Sequence, residues 1–345
     1  MTVKVRSFAK INLGLHIGAA RPDGFHELLT VYQTIDLHDV IRVSVRPGSG
    51  IELRCADPRV PQDESNTCFR IVARAMHALE ATKRVIIEIE KRLPVQGGLG
   101  GASANAVATL LALERALKKS LSGAERLRIA AEVGSDLPLF LVGGAALGVG
   151  RGEQVYPLPD FPAIPMVVVT PDVGVSTPKA FAEWDRLRSG GNNSAEPGSV
   201  RTGEGARSHT SKGKLTLTSP SDRMNELSRG LSAWLSGPYS GAPSGFLNRR
   251  GRAENPLLWL VRAGIKNDFE EVVFPEYPEL REGKSALEGA GAKYASLSGS
   301  GSTLYGLFAS KDAAARAVTK LRKQGWSARA TVTLPRSQYW RRMFE

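Results

Sequence analysis

Pro94-Val95-Gln96-Gly97-Gly98-Leu99-Gly100-Gly101-Ala102-Ser103-Ala104 lies between two segments of unlike period. Before it, Val85-Ile86-Ile87-Glu88-Ile89 is apolar and β-branched, as in a buried strand. After it, Ala106 to Lys119 is rich in helix formers, and Ala106, Leu110, Leu113 and Leu117 make a stripe at helical spacing. A strand, a glycine loop and a helix N-terminus make a place for phosphate. Glycines let the backbone approach an anion, and the first helical turn adds unpaired N–H donors. The common nucleotide loops do not fit. No G-x-x-x-x-G-K-S/T occurs, Ser103 replaces the last glycine of G-x-G-x-x-G, and the protein-kinase signatures are missing.

The chain has 345 residues, enough for about two domains, and 42% of them are hydrophobic, so sizeable cores are expected. Its net charge of +12 suits anionic partners, phosphorylated small molecules among them, or simply solvates the surface. Nucleic acid is not expected as a partner, because no DNA-binding motif or ladder of stacking aromatics accompanies the charge. Cys55 and Cys68 lack the spacing of a zinc site and make no disulfide framework. No apolar run is long enough to span a bilayer and no leader segment opens the chain, so no membrane partner and a cytoplasmic location are expected.

Ile11, Leu13, Leu15 and Ile17 alternate with Lys10, Asn12, Gly14 and His16. The period predicts a half-buried strand with Lys10, Asn12 and His16 on its wet face. Arg21-Pro22-Asp23-Gly24 is a turn, and Phe25-His26 follow it. Val40 to Val45 and Ile51 to Cys55 flank Pro47-Gly48-Ser49-Gly50, which predicts a hairpin. Asn66 caps a helix whose core stripe is Phe69, Val72, Met76 and Leu79. Ser122 and Glu125 form a capping box, and Gly134 closes that helix. Asp136, in Gly134-Ser135-Asp136-Leu137-Pro138, reads either as an N-cap or as a catalytic carboxylate. The glycines of Gly148-Val149-Gly150-Arg151-Gly152 end the first unit.

Met166 to Val169 opens the second unit as a buried strand, and Thr177 to Leu187 reads as a helix bearing Phe181 and Trp184. From about Ser189 to Arg252 the composition shifts to Gly, Ser, Asn, Pro and Arg, an insertion with one short helix at Leu227 to Leu235. Order returns at Asn255 to Trp259. A helix from Pro278 to Gly289, strands around Ser298-Gly299-Ser300-Gly301-Ser302, a further helix and a last strand at Ser327 to Val332 suggest a ferredoxin-like α+β layer. The Ser298–Ser302 stretch is a turn between strands or a loop that closes on a site.

Taken together, these segments resemble the kinases that include galactokinase, homoserine kinase, mevalonate kinase and phosphomevalonate kinase. Pro94 to Ala104 is similar to their phosphate loop. Ser7 to Leu13, Arg21 to Leu28, Gly134 to Pro138, Asn267 to Glu270 and Leu297 to Gly301 resemble the branch that acts on a cytidine-diphosphate-linked methylerythritol. The resemblance implies a two-domain α+β fold. Residues 1–158 would form a ribosomal-protein-S5-like domain that binds ATP, and residues 159–345 a ferredoxin-like domain carrying the insertion at about 189–252. It implies a small-molecule substrate, ATP and Mg²⁺ as cofactors, and a monomer or homodimer.

The resemblance also implies roles. Pro94, Val95, Gln96, Gly97, Gly98, Leu99, Gly100, Gly101, Ala102, Ser103 and Ala104 would hold ATP, with the Ser103 hydroxyl facing the metal. Asp136 would accept the proton of the substrate hydroxyl, and Lys10 would stand beside it. Phe25 and Phe181 would sandwich the cytosine and His26 would read its edge, while Asn12 and Thr177 would bind the rest of the substrate. Two positions depart from the family: Phe25 replaces the usual tyrosine, and Ser103-Ala104 the usual Ser-Ser. The competing readings are another alcohol kinase of the same family, or a basic nucleic-acid-binding protein.

Overall fold

The computed structural model describes residues 1–190 and 265–344. Most of the expected insertion, the helix expected at Leu227 to Leu235, and the return to order at Asn255 to Trp259 lie outside the described residues. Two sheets organise the fold. The first contains β1 (Thr2–Ala20), β2 (His26–Arg46), β3 (Ile51–Cys55), β4 (Arg84–Glu90), β5 (Ala145–Val149) and β6 (Gln154–Pro157). Its order is β3-β4-β2-β5-β6, and β1 pairs with β2. The long β2 is the hub: Val40 to Arg46 pair with β4, Thr30 to Gln33 with β5, and nearly its whole length with β1.

The hairpin expected across Pro47 to Gly50 does not form. β3 pairs in parallel with β4, which lies between β3 and β2. Val85, Ile86, Ile87 and Ile89 are buried and need a covered position, whereas β3 buries only Leu53. The centre therefore goes to β4, and the glycines of the connection carry the chain past it.

Helices α1 (Thr67–Ala78), α2 (Gly101–Leu117), α3 (Gly123–Val133) and α4 (Leu137–Val142) cover the first sheet. Asn66 caps α1 by accepting from the Cys68 amide at 2.8 Å. The buried face of α1 is Cys68, Ile71, Val72 and Ala75, so the core stripe is rotated from the expected one, and Phe69, Met76 and Leu79 lie at its edge. The capping box of Ser122 and Glu125 and the stop at Gly134 form as expected. Every residue of α2 from Ala104 to Glu114 is buried, which fits its alanine-rich, nearly uncharged sequence better than a one-sided stripe does.

The second sheet has the order β10-β7-β9-β8 and is antiparallel, from β7 (Pro165–Val169), β8 (Tyr294–Leu297), β9 (Leu304–Leu307) and β10 (Ala328–Val332). With α5 (Thr177–Gly190), α6 (Glu270–Glu276), α7 (Pro278–Gly289) and α8 (Lys311–Lys323), this is the expected ferredoxin-like layer. Ile11, Leu13, Val31 and Ile35 of the first sheet pack in one core with Met166, Val168, Tyr305 and Leu307 of the second. The last helix, α9 (Arg336–Met343), returns to the first unit, where Tyr339 donates to the Phe140 carbonyl at 2.7 Å. Among the described residues no helix is long and apolar enough to cross a membrane.

Candidate active site

The glycine loop runs from the end of β4 into α2 and is fastened from both sheets. The Lys10 amide on β1 donates to the Leu99 carbonyl at 3.0 Å, and the Thr303 amide donates to the Gly97 carbonyl at 3.2 Å. The Ser298 hydroxyl donates to the Gly98 carbonyl at 3.0 Å. The Ser298–Ser302 stretch is thus both a turn between strands and a wall of the site. Gly98 has φ +74°, and a side chain there would overlap the Ser298 carbonyl oxygen. Gly100 has φ +66° and caps α2, with Lys10 and Phe140 each about 3.0 Å from where a β-carbon would stand. Neither position admits another residue without moving the loop.

A cavity of about 370 Å³ opens beside the loop. Its walls are Pro94 to Ser103, Asn66 to Cys68, Arg59 to Pro61, Lys91 and Asn105. Asp39, fully buried, ties this wall together. It accepts from Lys91 Nζ at 2.5 Å, the Arg92 and Leu93 amides at 2.7 and 2.8 Å, and Asn105 Nδ2 at 2.9 Å. Sequence reading missed Asp39, because an aspartate inside an apolar strand belongs to no motif.

The cavity fits a nucleoside triphosphate. Gly101, Ala102 and Ser103 of the first turn of α2 line it, the Lys91 ammonium lies 3.5 Å from where a β-carbon on Gly101 would stand, and the glycines leave the backbone bare. Two buried polar atoms, Asn105 Oδ1 in its wall and Thr303 Oγ1 beside Gly97, have no hydrogen-bond partner among the described residues. Ser103 lines the same cavity. No cluster of three or more His, Cys, Asp or Glu occurs among the described residues. One hydroxyl in the wall of a phosphate cavity fits a magnesium ion held chiefly by phosphate oxygens and water.

Lys10 and Asn12 do not lie on a wet face; they are 4% and 2% exposed. Lys10 Nζ donates to Asn12 Oδ1 at 2.6 Å and lies 3.3 Å from Asp136 Oδ2. Asn12 Nδ2 donates to Thr30 Oγ1 at 2.8 Å, so the amide that holds the lysine is itself held. His16 does not share this face. A β-bulge between Asn12 and Gly14 shifts the register, so Asn12 faces Tyr32 but His16 faces Leu29. The odd step moves His16 to the other side of the sheet, where its ring lies 3.4 Å from Asp268.

Asp136 stands at the N-cap position of α4 yet makes no capping hydrogen bond. Its two oxygens face Lys10 and the Tyr32 hydroxyl, which donates to Oδ1 at 3.0 Å. The carboxylate thus meets an ammonium and a phenol in place of the backbone donors of α4. Burial and the neighbouring Asp136 charge push the Tyr32 phenol well above its usual range, so it stays a donor.

Toward the other end of the cleft, His26 and Phe181 stack with ring centroids 5.0 Å apart and planes 9° apart. His26 Nε2 lies 2.7 Å from Asp185 Oδ1 on the same helix as Phe181. Phe181 in turn meets the Phe269 ring edge-on at 4.9 Å. Phe25 is 50% exposed, and its ring carries the Arg151 guanidinium at 5.0 Å. The structure therefore brings His26 and Phe181 together and leaves Phe25 outside the pair. Thr177 exchanges a hydrogen bond with Ser300 at 2.7 Å, joining α5 to the Ser298–Ser302 wall. Asn267 steadies the same wall by donating to the Leu297 and Gly299 carbonyls, both at 2.8 Å.

Residues 66–144 match the family model for the GHMP kinases N terminal domain, and residues 254–326 match that for the GHMP kinases C terminal domain. A 4-diphosphocytidyl-2-C-methyl-D-erythritol kinase of Solibacter usitatus is 36% identical over 317 residues, which cover 92% of this chain and 84% of the relative. One of Rhodococcus jostii is 35% identical over 326 residues, covering 94% and 89%. Among solved structures, a 4-(cytidine 5'-diphospho)-2C-methyl-D-erythritol kinase superposes over 96% of this chain and 98% of its own, with a TM-score of 0.65 and 28% identity. With such relatives matched along more than nine-tenths of its length, the chain belongs to the GHMP kinases, in the family of the 4-diphosphocytidyl-2-C-methyl-D-erythritol kinases.

Proposed function

We propose that the protein transfers the γ-phosphoryl group of ATP to the 2-hydroxyl of 4-diphosphocytidyl-2-C-methyl-D-erythritol, giving the 2-phosphate, a step of the non-mevalonate route to isoprenoid precursors. The observation that carries this reading is the placement of Lys10 and Asp136, 3.3 Å apart, against the glycine loop through the Lys10–Leu99 backbone bond. An ammonium and a carboxylate beside such a glycine loop are what an alcohol needs to become a nucleophile there.

ATP supplies the transferable phosphoryl group, and Mg²⁺ offsets the negative charge of its phosphates. The amides from Gly97 to Ser103 hold those phosphates, and the Ser103 hydroxyl faces the metal. Asp136 accepts the proton of the substrate hydroxyl as its oxygen bonds to phosphorus and the bond to ADP breaks. Lys10, kept aimed by Asn12, offsets the charge on the attacking oxygen and on the phosphoryl group in flight. Asn12 and Thr177 bind the erythritol and diphosphate side. The cytosine is taken at the His26–Phe181–Phe25 end, where ring faces provide stacking and the His26 ring provides an edge contact. Since His26 now covers Phe181, binding of the base between Phe25 and Phe181 requires His26 to leave that stack.

The test is a coupled ADP-release assay with the purified protein, ATP and Mg²⁺. The cytidyl substrate should support turnover, and mevalonate and homoserine should not. Turnover of either of these, with none of the cytidyl compound, would assign the protein to a different alcohol.

A further inference from the structure

Gly148-Val149-Gly150-Arg151-Gly152 meets the cytosine end only through Arg151, and two of its three glycines, Gly148 and Gly152, face one side chain. A β-carbon at Gly152 would stand 2.5 Å from the Tyr32 hydroxyl oxygen, and one at Gly148 would overlap the Tyr32 ring. The missing side chains leave a slot that the ring of Tyr32 fills, and the ring is 2% exposed. From that slot the hydroxyl reaches Asp136 Oδ1 at 3.0 Å, with the Gly152 carbonyl at 3.5 Å as its second neighbour. Lys10 Nζ lies 5.6 Å from the centre of the same ring.

We infer that Tyr32 is a positioning residue for the phosphoryl-transfer step: seated by Gly148 and Gly152, it fixes the Asp136 carboxylate through Oδ1 so that Oδ2 faces Lys10. The inference rests on the proposed role of Asp136. Geometry supports it in two ways. Asp136 sits on a loop-to-helix junction and lacks the backbone bond that would otherwise hold an N-cap aspartate, so among the described residues Lys10 is the one polar partner left to its carboxylate without the phenol. Tyr32 also lies directly opposite Asn12 on the paired strand, so one cross-strand pair steadies both partners of the reacting centre: Asn12 the lysine and Tyr32 the carboxylate. The polar partners of Tyr32 are Asp136, the Gly152 carbonyl and Lys10, so its effect belongs to turnover and not to substrate affinity.

Tyr32→Phe removes only the hydroxyl and leaves the slot filled. In the ADP-release assay kcat should fall about tenfold, the loss of one hydrogen bond to a charged group, while KM for ATP and for the alcohol stay within about twofold. Introduced into Asp136→Asn, the same change should cost no more than about twofold further in kcat, because the group it positions is gone. Unchanged kcat in Tyr32→Phe, a KM effect without a kcat effect, or a full additional tenfold loss in the double variant would each overturn the inference. The wild-type enzyme in the same assay separates this from the substrate reading. If it phosphorylates another alcohol and not the cytidyl compound, the proposed function falls, and the ratio of Tyr32→Phe to wild type on that alcohol still decides the role of Tyr32.

Discussion

Gly98→Ala asks whether the site depends on the seam between the two sheets. At φ +74° an alanine is in the left-handed region, which costs an L-residue about 1–2 kcal/mol. Its β-carbon would overlap the Ser298 carbonyl oxygen, 3.0 Å from the Gly301 carbonyl oxygen and 3.2 Å from the Ser298 carbonyl carbon. These are backbone atoms of a wall already held by Asn267, so they yield poorly. Either the glycine loop or the wall has to retreat by roughly 1 Å, which adds about 1–3 kcal/mol of strain. Because Lys10 hangs from Leu99, the retreat also draws the phosphate cradle away from the lysine. A displacement of this size costs about a hundredfold in rate. The variant should therefore lose about two orders of magnitude in kcat/KM for ATP in the ADP-release assay and melt at a lower temperature. Gly101→Ala is the control for stability: its β-carbon would meet nothing closer than 3.5 Å, and its melting temperature should not fall. Gly98→Ala with a kcat/KM within about threefold of wild type and an unchanged melting temperature would refute the idea that the seam sets the cradle.

Asp136→Asn should lower kcat by about two or more orders of magnitude with little change in KM for ATP, and Lys10→Ala should lower it in the same sense; turnover near wild type in either denies that residue its role. His26→Ala should raise KM for the cytidyl substrate about tenfold and leave KM for ATP alone, so an unchanged alcohol KM counts against the cytosine assignment. Burial raises the Tyr32, Tyr305 and Tyr339 phenols, and pushes Tyr294 and the Cys68 thiol up to about 12. Above about pH 9 the unfolded chain releases these protons while the folded chain keeps them, so their stabilisation is full below about pH 9 and is lost as pH rises toward 12. Urea midpoints should decline across that window, and a flat profile would contradict the burial of these groups.

What was legible in the sequence was local. The glycine loop, the Asn66 cap, the Ser122 capping box and the helix-strand order of the second layer each have short-range signatures, and each formed. Chemistry that depends on register was less legible. The bulge after Asn12 leaves only one trace, Gly14, where any side chain would collide with Ile265, and without it the period put His16 beside Lys10. The false hairpin at Pro47 to Gly50 has the same origin: turn residues announce a reversal, but the pairing of β3 is decided by β4, about thirty residues on. The partners that hold the site, Tyr32 for Asp136 and Asp185 for His26, lie 104 and 159 residues away and carry no motif. Lys10, Asp136 and Asn12 lie together beside the glycine loop. Phe25 does not pair with Phe181, because the ring stacked there is His26.

The return of α9 to the first unit has a consequence for how the protein is made. Tyr339 seats on the Phe140 carbonyl, 199 residues earlier in the chain, and Leu334 and Met343 complete the same core. A ribosome adds about 5–20 residues per second, so the seat on the first unit waits roughly 10–40 s for its occupant. During that interval the amino-terminal half has its sheet and helices but not the last wall of its core. The first unit emerges before the second, yet its core closes only after the second has been made.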